Sequence, residues 1–261
     1  MKDIFTFAAF IVLLHGAAFA QNQAPVLSTG SVVAKNSAVI SAKVASYVEK
    51  INGEVGTRVK KGQALIKLDS AEFEANRALA LARLDDAKAA FENAEINYQR
   101  MKELVEKGST TKSSFDDAAT AYKRAKAAIA LAEAEVARAN VFVGYATLTS
   151  PIDGVIDFKR IETGELTAPG QPLMKITDDK NLRFETSVKE SDINRIKAGQ
   201  SAAVLIDALE GKKVKGKVAH IVPSGDTASH SFMVVIDLEP VEGLRIGMYG
   251  KVRLSDGERG K

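Results

Sequence analysis

Residues 70–143 constrain this chain more than any other stretch. Apolar or aromatic side chains recur at every seventh position: Leu84, Phe91, Tyr98 and Val105, then Phe115, Tyr122, Ile129, Val136 and Val143. A second series with the same spacing is almost wholly alanine: Ala80, Ala87, Ala94 and Met101, then Ala118, Ala125, Ala132 and Ala139. A heptad held this long specifies a left-handed coiled coil. The pattern breaks at Lys107-Gly108-Ser109-Thr110-Thr111, so the reading is an antiparallel helical hairpin. The large series of one helix can then face the alanine series of the other, bringing the axes toward the short end of the usual ~8–10 Å. Asp69 and Glu72 fit a capping box at the start of the first helix. Gly108 suits its C′ position, and Ser113 or Ser114, each with an aspartate three residues on, would open the second helix. Gly144 would end the rod. Arms of roughly 35 residues give a length of about 50 Å, far more than small flanking domains need.

The flanks carry an internal repeat. Glu54, Gly56, Gly62, Gln63, Leu65 and Lys67 recur without a gap 108 positions later as Glu162, Gly164, Gly170, Gln171, Leu173 and Lys175. Val44, Val48 and Leu68 likewise meet Ile152, Ile156 and Ile176. Glycines Gly56, Gly62, Gly164 and Gly170 sit where strands must turn, where a residue free to take φ > 0 is most useful. The reading is one small β-domain in two halves, with the hairpin inserted between them. After residue 182 the pattern changes to short alternating strands with one short helical segment at 191–197, which suggests a small antiparallel barrel. The predicted fold is therefore mostly β and multidomain, with an inserted α-helical coiled-coil hairpin. Its parts are a lead and strand at 21–40, a split domain at 41–69 and 144–178, the hairpin at 70–143, a barrel at 179–255 and a tail at 256–261.

Composition narrows the chemistry. The 261 residues include no cysteine and three histidines, and the net charge is +3. Disulfides, thiolate metal sites and a thiol nucleophile are excluded, and the interleaved charges do not call for nucleic acid. Residues 1–20 read as a secretory signal peptide, with Lys2, an apolar run and Ala18-Phe19-Ala20 as cleavage site. The alternative is an uncleaved anchor, because Asp3 beside Lys2 is atypical. An exported, cysteine-free chain suggests the periplasm. No catalytic constellation is legible: His220 falls in a strand pattern and His230 in a turn, without spaced partners. Lys212, Lys213, Lys215 and Lys217 form a basic patch on a predicted hairpin. It reads either as an exposed strand whose charge discourages edge pairing or as a contact for lipid headgroups or an acidic partner.

The repeated half-motif resembles the split halves of a biotinyl/lipoyl domain. With a long hairpin between the halves and a barrel after them, the chain resembles periplasmic adaptor proteins of the HlyD type. These membrane fusion proteins serve resistance-nodulation-division (RND) efflux pumps. Glu190-Ser191-Asp192, Ala198-Gly199-Gln200 and Leu244-Arg245-Ile246-Gly247-Met248 are similar to the family's barrel segments, with Ile246 where proline is usual. The resemblance implies a non-enzymatic, cofactor-free adaptor in the periplasm, held to the inner membrane through its partner transporter. It also implies self-assembly into a ring, as a hexamer, and docking of the hairpin tip on a TolC-like outer-membrane channel. The family's tip motif, R-x3-L-x6-S, falls on Arg100, Leu104 and Thr111, with threonine for serine; the alternative is that Arg100 and Leu104 are ordinary exposed coiled-coil residues. In the family a membrane-proximal domain follows the barrel, and this sequence stops about where it would begin. That leaves an ABC-type exporter or type I secretion system as the alternative to an RND partner. A biotin or lipoate carrier is not expected, since no Met-Lys or Asp-Lys dipeptide stands at the junction near Leu68. A purely structural spacer is a further rival.

Overall fold

The computed structural model describes residues 25–254. The signal peptide at 1–20, nearly all of the polar lead and the tail at 256–261 lie outside the described residues. In chain order the elements are β1 (Val26–Ala34), β2 (Ser37–Ser41), β3 (Val48–Ile51), β4 (Arg58–Val59) and β5 (Ala64–Leu68). Helices α1 (Ala71–Glu106) and α2 (Lys112–Tyr145) follow, then β6 (Thr147–Thr149), β7 (Gly154–Lys159) and β8 (Pro172–Thr177). The chain continues through β9 (Leu182–Lys189), α3 (Glu190–Ile193), β10 (Ser201–Ile206), β11 (Lys212–Ile221), β12 (Ser231–Leu238) and β13 (Tyr249–Leu254). They form two compact units.

In the first unit six strands close a barrel in the order β1-β13-β10-β11-β12-β9. The lead strand β1, set apart in the sequence reading, supplies one of its staves. Alternation drives the closure: along β10 and β13 every second residue is buried, including Val204, Ile206, Val252 and Leu254. Gly30 and Gly250 are cross-strand partners between β1 and β13. A methyl group on either would press into a neighbouring carbonyl, that of Glu185 or Leu205.

The second unit is a two-sheet sandwich whose sheets exchange strands between the repeat halves. One sheet runs β2-β8-β7-β4 and the other β3-β5-β6. The central pair β7–β8 comes from the second half, and both strands beside it come from the first. In the other sheet β3–β5 belong to the first half, while β6 and the bridge residue Leu166, paired with Tyr47, belong to the second. Hydrogen bonds obey the same exchange. Gly56 N–H donates to Ile156 C=O (2.9 Å) and Gly164 N–H to Val48 C=O (2.9 Å). Gly62 N–H donates to Ser150 C=O (2.7 Å) and Gly170 N–H to Ala42 C=O (2.8 Å). A shift of 108 positions carries each bond onto its counterpart with donor and acceptor halves swapped. The ion pairs Lys67–Glu49 and Lys175–Asp157, both 2.8 Å, repeat in the same way. Lys159 lies between the equivalent Glu54 and Glu162, at 3.1 and 3.0 Å. Hydrogen bonds to Glu162 and then Glu54 hold its ammonium pKa above the ordinary lysine value. A raised folded value means this tie is intact at neutral pH and is lost only as pH rises through that value.

The sandwich core is formed from both halves, with Val48, Leu65 and Leu68 meeting their counterparts Ile156, Leu173 and Ile176, all buried. Full burial of each such side chain contributes about 1.5–3 kcal/mol, whereas exposed ion pairs contribute ~0–1 kcal/mol. The core therefore dominates, and the charges trim it. The four turn glycines take φ of +89° (Gly56), +82° (Gly62), +87° (Gly164) and +83° (Gly170). Placing an L side chain there costs about 1–2 kcal/mol. Gly62→Ala and Gly170→Ala, in open space on equivalent turns, should lower the urea unfolding free energy by similar amounts of that size. Gly154→Ala should cost more, since its methyl would stand 2.4 Å from the Thr177 carbonyl oxygen.

Candidate functional site

The hairpin is an insertion into a single strand-to-strand connection. Strands β5 and β6 are antiparallel neighbours, with Ile66 opposite Leu148 and Lys67 opposite Thr147. Leu68 N–H donates to Ala146 C=O (2.7 Å), so departing and returning chains are pinned side by side, while Asp69 N–H donates to Tyr47 C=O (2.8 Å) and ties the root of α1 to the first half. The expected capping box does not form. Ser70 is the N-cap of α1 and makes no side-chain cap bond. Asp69 Oδ1 instead accepts from Ala71 N–H (2.9 Å), closing a tight turn one residue ahead of the helix. The second helix continues to Tyr145, with Gly144 inside its last turn.

Between the helices, rings of the large series stack on one another: Phe91 on Tyr122 (5.2 Å), Tyr98 on Tyr122 (5.0 Å) and Tyr98 on Phe115 (5.6 Å between centroids). This differs from the expected facing of large residues on alanine. Alanines Ala80, Ala118 and Ala132 are indeed buried, but rings from both helices also meet one another, Tyr98 and Tyr122 stacked at 19° and the other two pairs tilted by 39° and 32°, contacts that are favourable beyond their buried area. At the root Phe73 stacks on Phe142 (6.4 Å), and Arg83 pairs with Glu135 across the helices (3.2 Å).

The tip is a short, fully capped loop. Gly108, at φ +69°, turns the chain out of α1. Ser109 N–H donates to Leu104 C=O (2.8 Å) and Gly108 N–H to Val105 C=O (3.1 Å), the two bonds of a Schellman motif. The N-cap of α2 is Thr111, not Ser113 or Ser114. Thr111 Oγ1 accepts from Ser114 N–H (3.2 Å), and the Ser114 hydroxyl lies 2.9 Å away. Threonine has extended backbone here (ψ 153°), which the N-cap requires. The signal is a hydroxyl residue three positions after Gly108 and just before the helix, in a run where Ser113 and Ser114 offer the same chemistry. Arg100 is exposed and makes no ion pair with a described residue. Leu104 is half-buried one turn further along the same helix face. Thr111 is exposed across the loop. All three belong to this end of the hairpin, Arg100 and Leu104 as one stripe and Thr111 as the cap beside it.

Two family models match the chain in tandem. A CzcB-like barrel-sandwich hybrid domain spans residues 36–178, and a CusB-like β-barrel domain spans residues 184–258. The first contains both repeat halves and the hairpin, more than half of the sequence. The chain belongs to the RND-type membrane fusion protein family. Members of this family are adaptors of efflux systems. The nickel and cobalt resistance protein CnrB of Cupriavidus metallidurans is 28% identical over 240 residues, covering 87% of this chain and 57% of CnrB. The multidrug resistance protein MdtA of Escherichia coli is 25% identical over 175 residues, covering 66% of this chain and 42% of MdtA. This chain thus spans about half the length of these curated relatives. A MacA–MexA chimera carrying the Pseudomonas aeruginosa MexA α-hairpin superposes with TM-score 0.69 at 28% identity, over 89% of this chain and 79% of the chimera.

Elsewhere, the described residues hold no group of three or more His, Asp or Glu side chains placed to bind a metal. His220 stands on β11, and His230 Nδ1 lies 4.0 Å from a Glu190 carboxylate oxygen, both exposed. No helix among the described residues is long and apolar enough to cross a membrane. The capped tip yields a direct test. Thr111→Ala should cost about 1 kcal/mol and speed amide exchange in the first turn of α2, while Thr111→Ser should retain protection.

Proposed function

We propose that this chain is a non-catalytic periplasmic adaptor of a tripartite efflux pump, linking an inner-membrane RND transporter to a TolC-like outer-membrane channel. Copies of the sandwich and barrel units would pack side by side into a hexameric ring, from which the hairpins reach the channel end-on. The observation that carries this reading is the Arg100–Leu104 stripe, a free guanidinium one turn from an apolar side chain, held beside a loop that is capped from both helices. Such a tip is stiff before it meets a partner, so docking costs little ordering entropy. Arg100 offers a fork of donors to carboxylates or helix-end carbonyls, and Leu104 an apolar contact beside it. Each contact is shallow, and a ring of copies multiplies it by avidity. The names of CnrB and MdtA support an export role of this type, and the energy for export would come from the transporter.

The test is efflux-dependent drug susceptibility in a host carrying the intact protein or the pair Arg100→Asp with Leu104→Ala. Protein level, fold and exported location are checked in parallel. Susceptibility should rise to that of the deletion while the variant stays folded and exported. Wild-type behaviour of the pair would remove the tip from the mechanism.

A further inference from the structure

From the sequence, the lysines of β11 could be guards of an exposed strand edge. The barrel excludes that reading. Strand β11 is hydrogen-bonded on both sides, to β10 and to β12, and has no edge to guard.

The register also enlarges the patch beyond one strand. Lys215 lies opposite Ala203, Ala203 opposite Arg253, and Arg253 opposite Leu27. In the adjacent row Lys213 lies opposite Leu205, Leu205 opposite Lys251, and Lys251 opposite Thr29. Residues directly opposite share a sheet face. This one is the outer face, since the alternate residues Val204, Val214 and Val252 are buried. Two files of cations, with Lys217 extending one of them, therefore flank an uncharged strand at about 10 Å, two strand spacings. No Asp or Glu occupies an outward position of β1, β13, β10 or β11. Carboxylates stand only on the two bordering strands: Asp237 on β12, opposite Lys217, and Glu185 on β9, which adjoins β1. None of Lys212, Lys213, Lys215, Lys217, Lys251 and Arg253 forms an ion pair or side-chain hydrogen bond with a described residue.

We propose that this outer face of the barrel is a membrane-binding surface that docks on anionic lipid headgroups. Four of the five cations on this face (Lys213, Lys215, Lys217, Lys251 and Arg253) are lysine, a flexible point charge suited to a diffuse plane of phosphates, whereas a carboxylate-bearing protein partner favours the bidentate fork of arginine. The evenly spaced files carry charge without the mixed signs and polar partners that fix the register of a protein interface. Leu27 and Tyr249, 71% and 53% exposed on the adjoining β1 and β13, supply the apolar and aromatic groups that settle at headgroup level. Each basic residue near an anionic leaflet tightens binding about fivefold. This inference stands apart from the channel-docking role, and its readout involves no efflux.

The experiment is flotation of the purified full chain with vesicles of phosphatidylglycerol in phosphatidylcholine, against phosphatidylcholine alone. The wild type should float with the anionic vesicles only and be released by salt. Replacing Lys213, Lys215, Lys251 and Arg253 by glutamine should weaken partitioning ~10²-fold or more without moving the unfolding midpoint. Replacing the three lysines by arginine should preserve partitioning. Lys123→Gln with Lys126→Gln, exposed on α2, is the control for net charge and should change little. The proposal is overturned if the wild type ignores anionic vesicles, if it binds neutral ones equally, or if the glutamine variant floats as the wild type does. A loss as large in the α2 control also overturns it, as does a barrel variant defective only in capturing an acidic protein.

Discussion

The exchange of strands between the repeat halves is the constraint on which the second unit depends. Neither half holds a complete sheet. The pairs β3–β5 and β7–β8 each need strands from the other half to complete their sheets, and the turn N–H groups of each half find their acceptors across the divide. A half standing alone would expose unpaired backbone groups and the faces of Leu65, Leu68, Leu173 and Ile176, a cost far above anything the surface ion pairs could offset. The halves must therefore fold as one cooperative body, even though 78 residues (69–146) lie between Leu68 and Thr147. Closing so long a connection as a free loop would be unfavourable, but the coiled coil brings its own ends together.

The same arrangement gives the hairpin its stiffness. Its two strands of origin are hydrogen-bonded neighbours, and aromatic stacks join the helices at the root and again between Phe91 and Phe115. Beyond them the loop is closed by backbone and hydroxyl caps rather than by long-range contacts. Position at the tip is thus inherited from packing tens of ångströms away. In the barrel unit the controlling fact is closure, which removes sheet edges and turns a row of lysines from a protective device into one side of a broader charged face.

Much of this was legible in one dimension. A heptad needs no tertiary information to be seen, because seven-residue spacing and a glycine break already specify two helices and a turn. The 108-residue repeat was legible for the same reason, since glycines at turns and leucines in the core are fixed by local backbone and burial. What one dimension does not show depends on partners distant in sequence. That β1 joins β13, or that Lys215 and Arg253 flank Ala203, is set by register across the barrel, which strand alternation alone does not encode. The cap at Thr111 escaped for a local reason: three hydroxyl residues stand within four positions, and only the path out of Gly108 selects among them. Lys197-Ala198-Gly199-Gln200, a segment of the family resemblance in the barrel, is a third turn of the same type, which its sequence outside the repeat does not announce. There Gln200 Oε1 accepts from Lys197 N–H (2.9 Å), as Gln63 does from Lys60 (3.0 Å) and Gln171 from Ala168 (2.9 Å).

Because both helices of the rod return to paired strands, its length is free of the fold that supports it. Adding seven residues to each arm would keep every ring facing its counterpart and extend the tip by about 10 Å, leaving the root unchanged. Adding three or four to one arm alone would rotate the seam out of register. The rod can therefore vary as a ruler, in whole heptads, and the distance it spans can change without renegotiating the domain at its base.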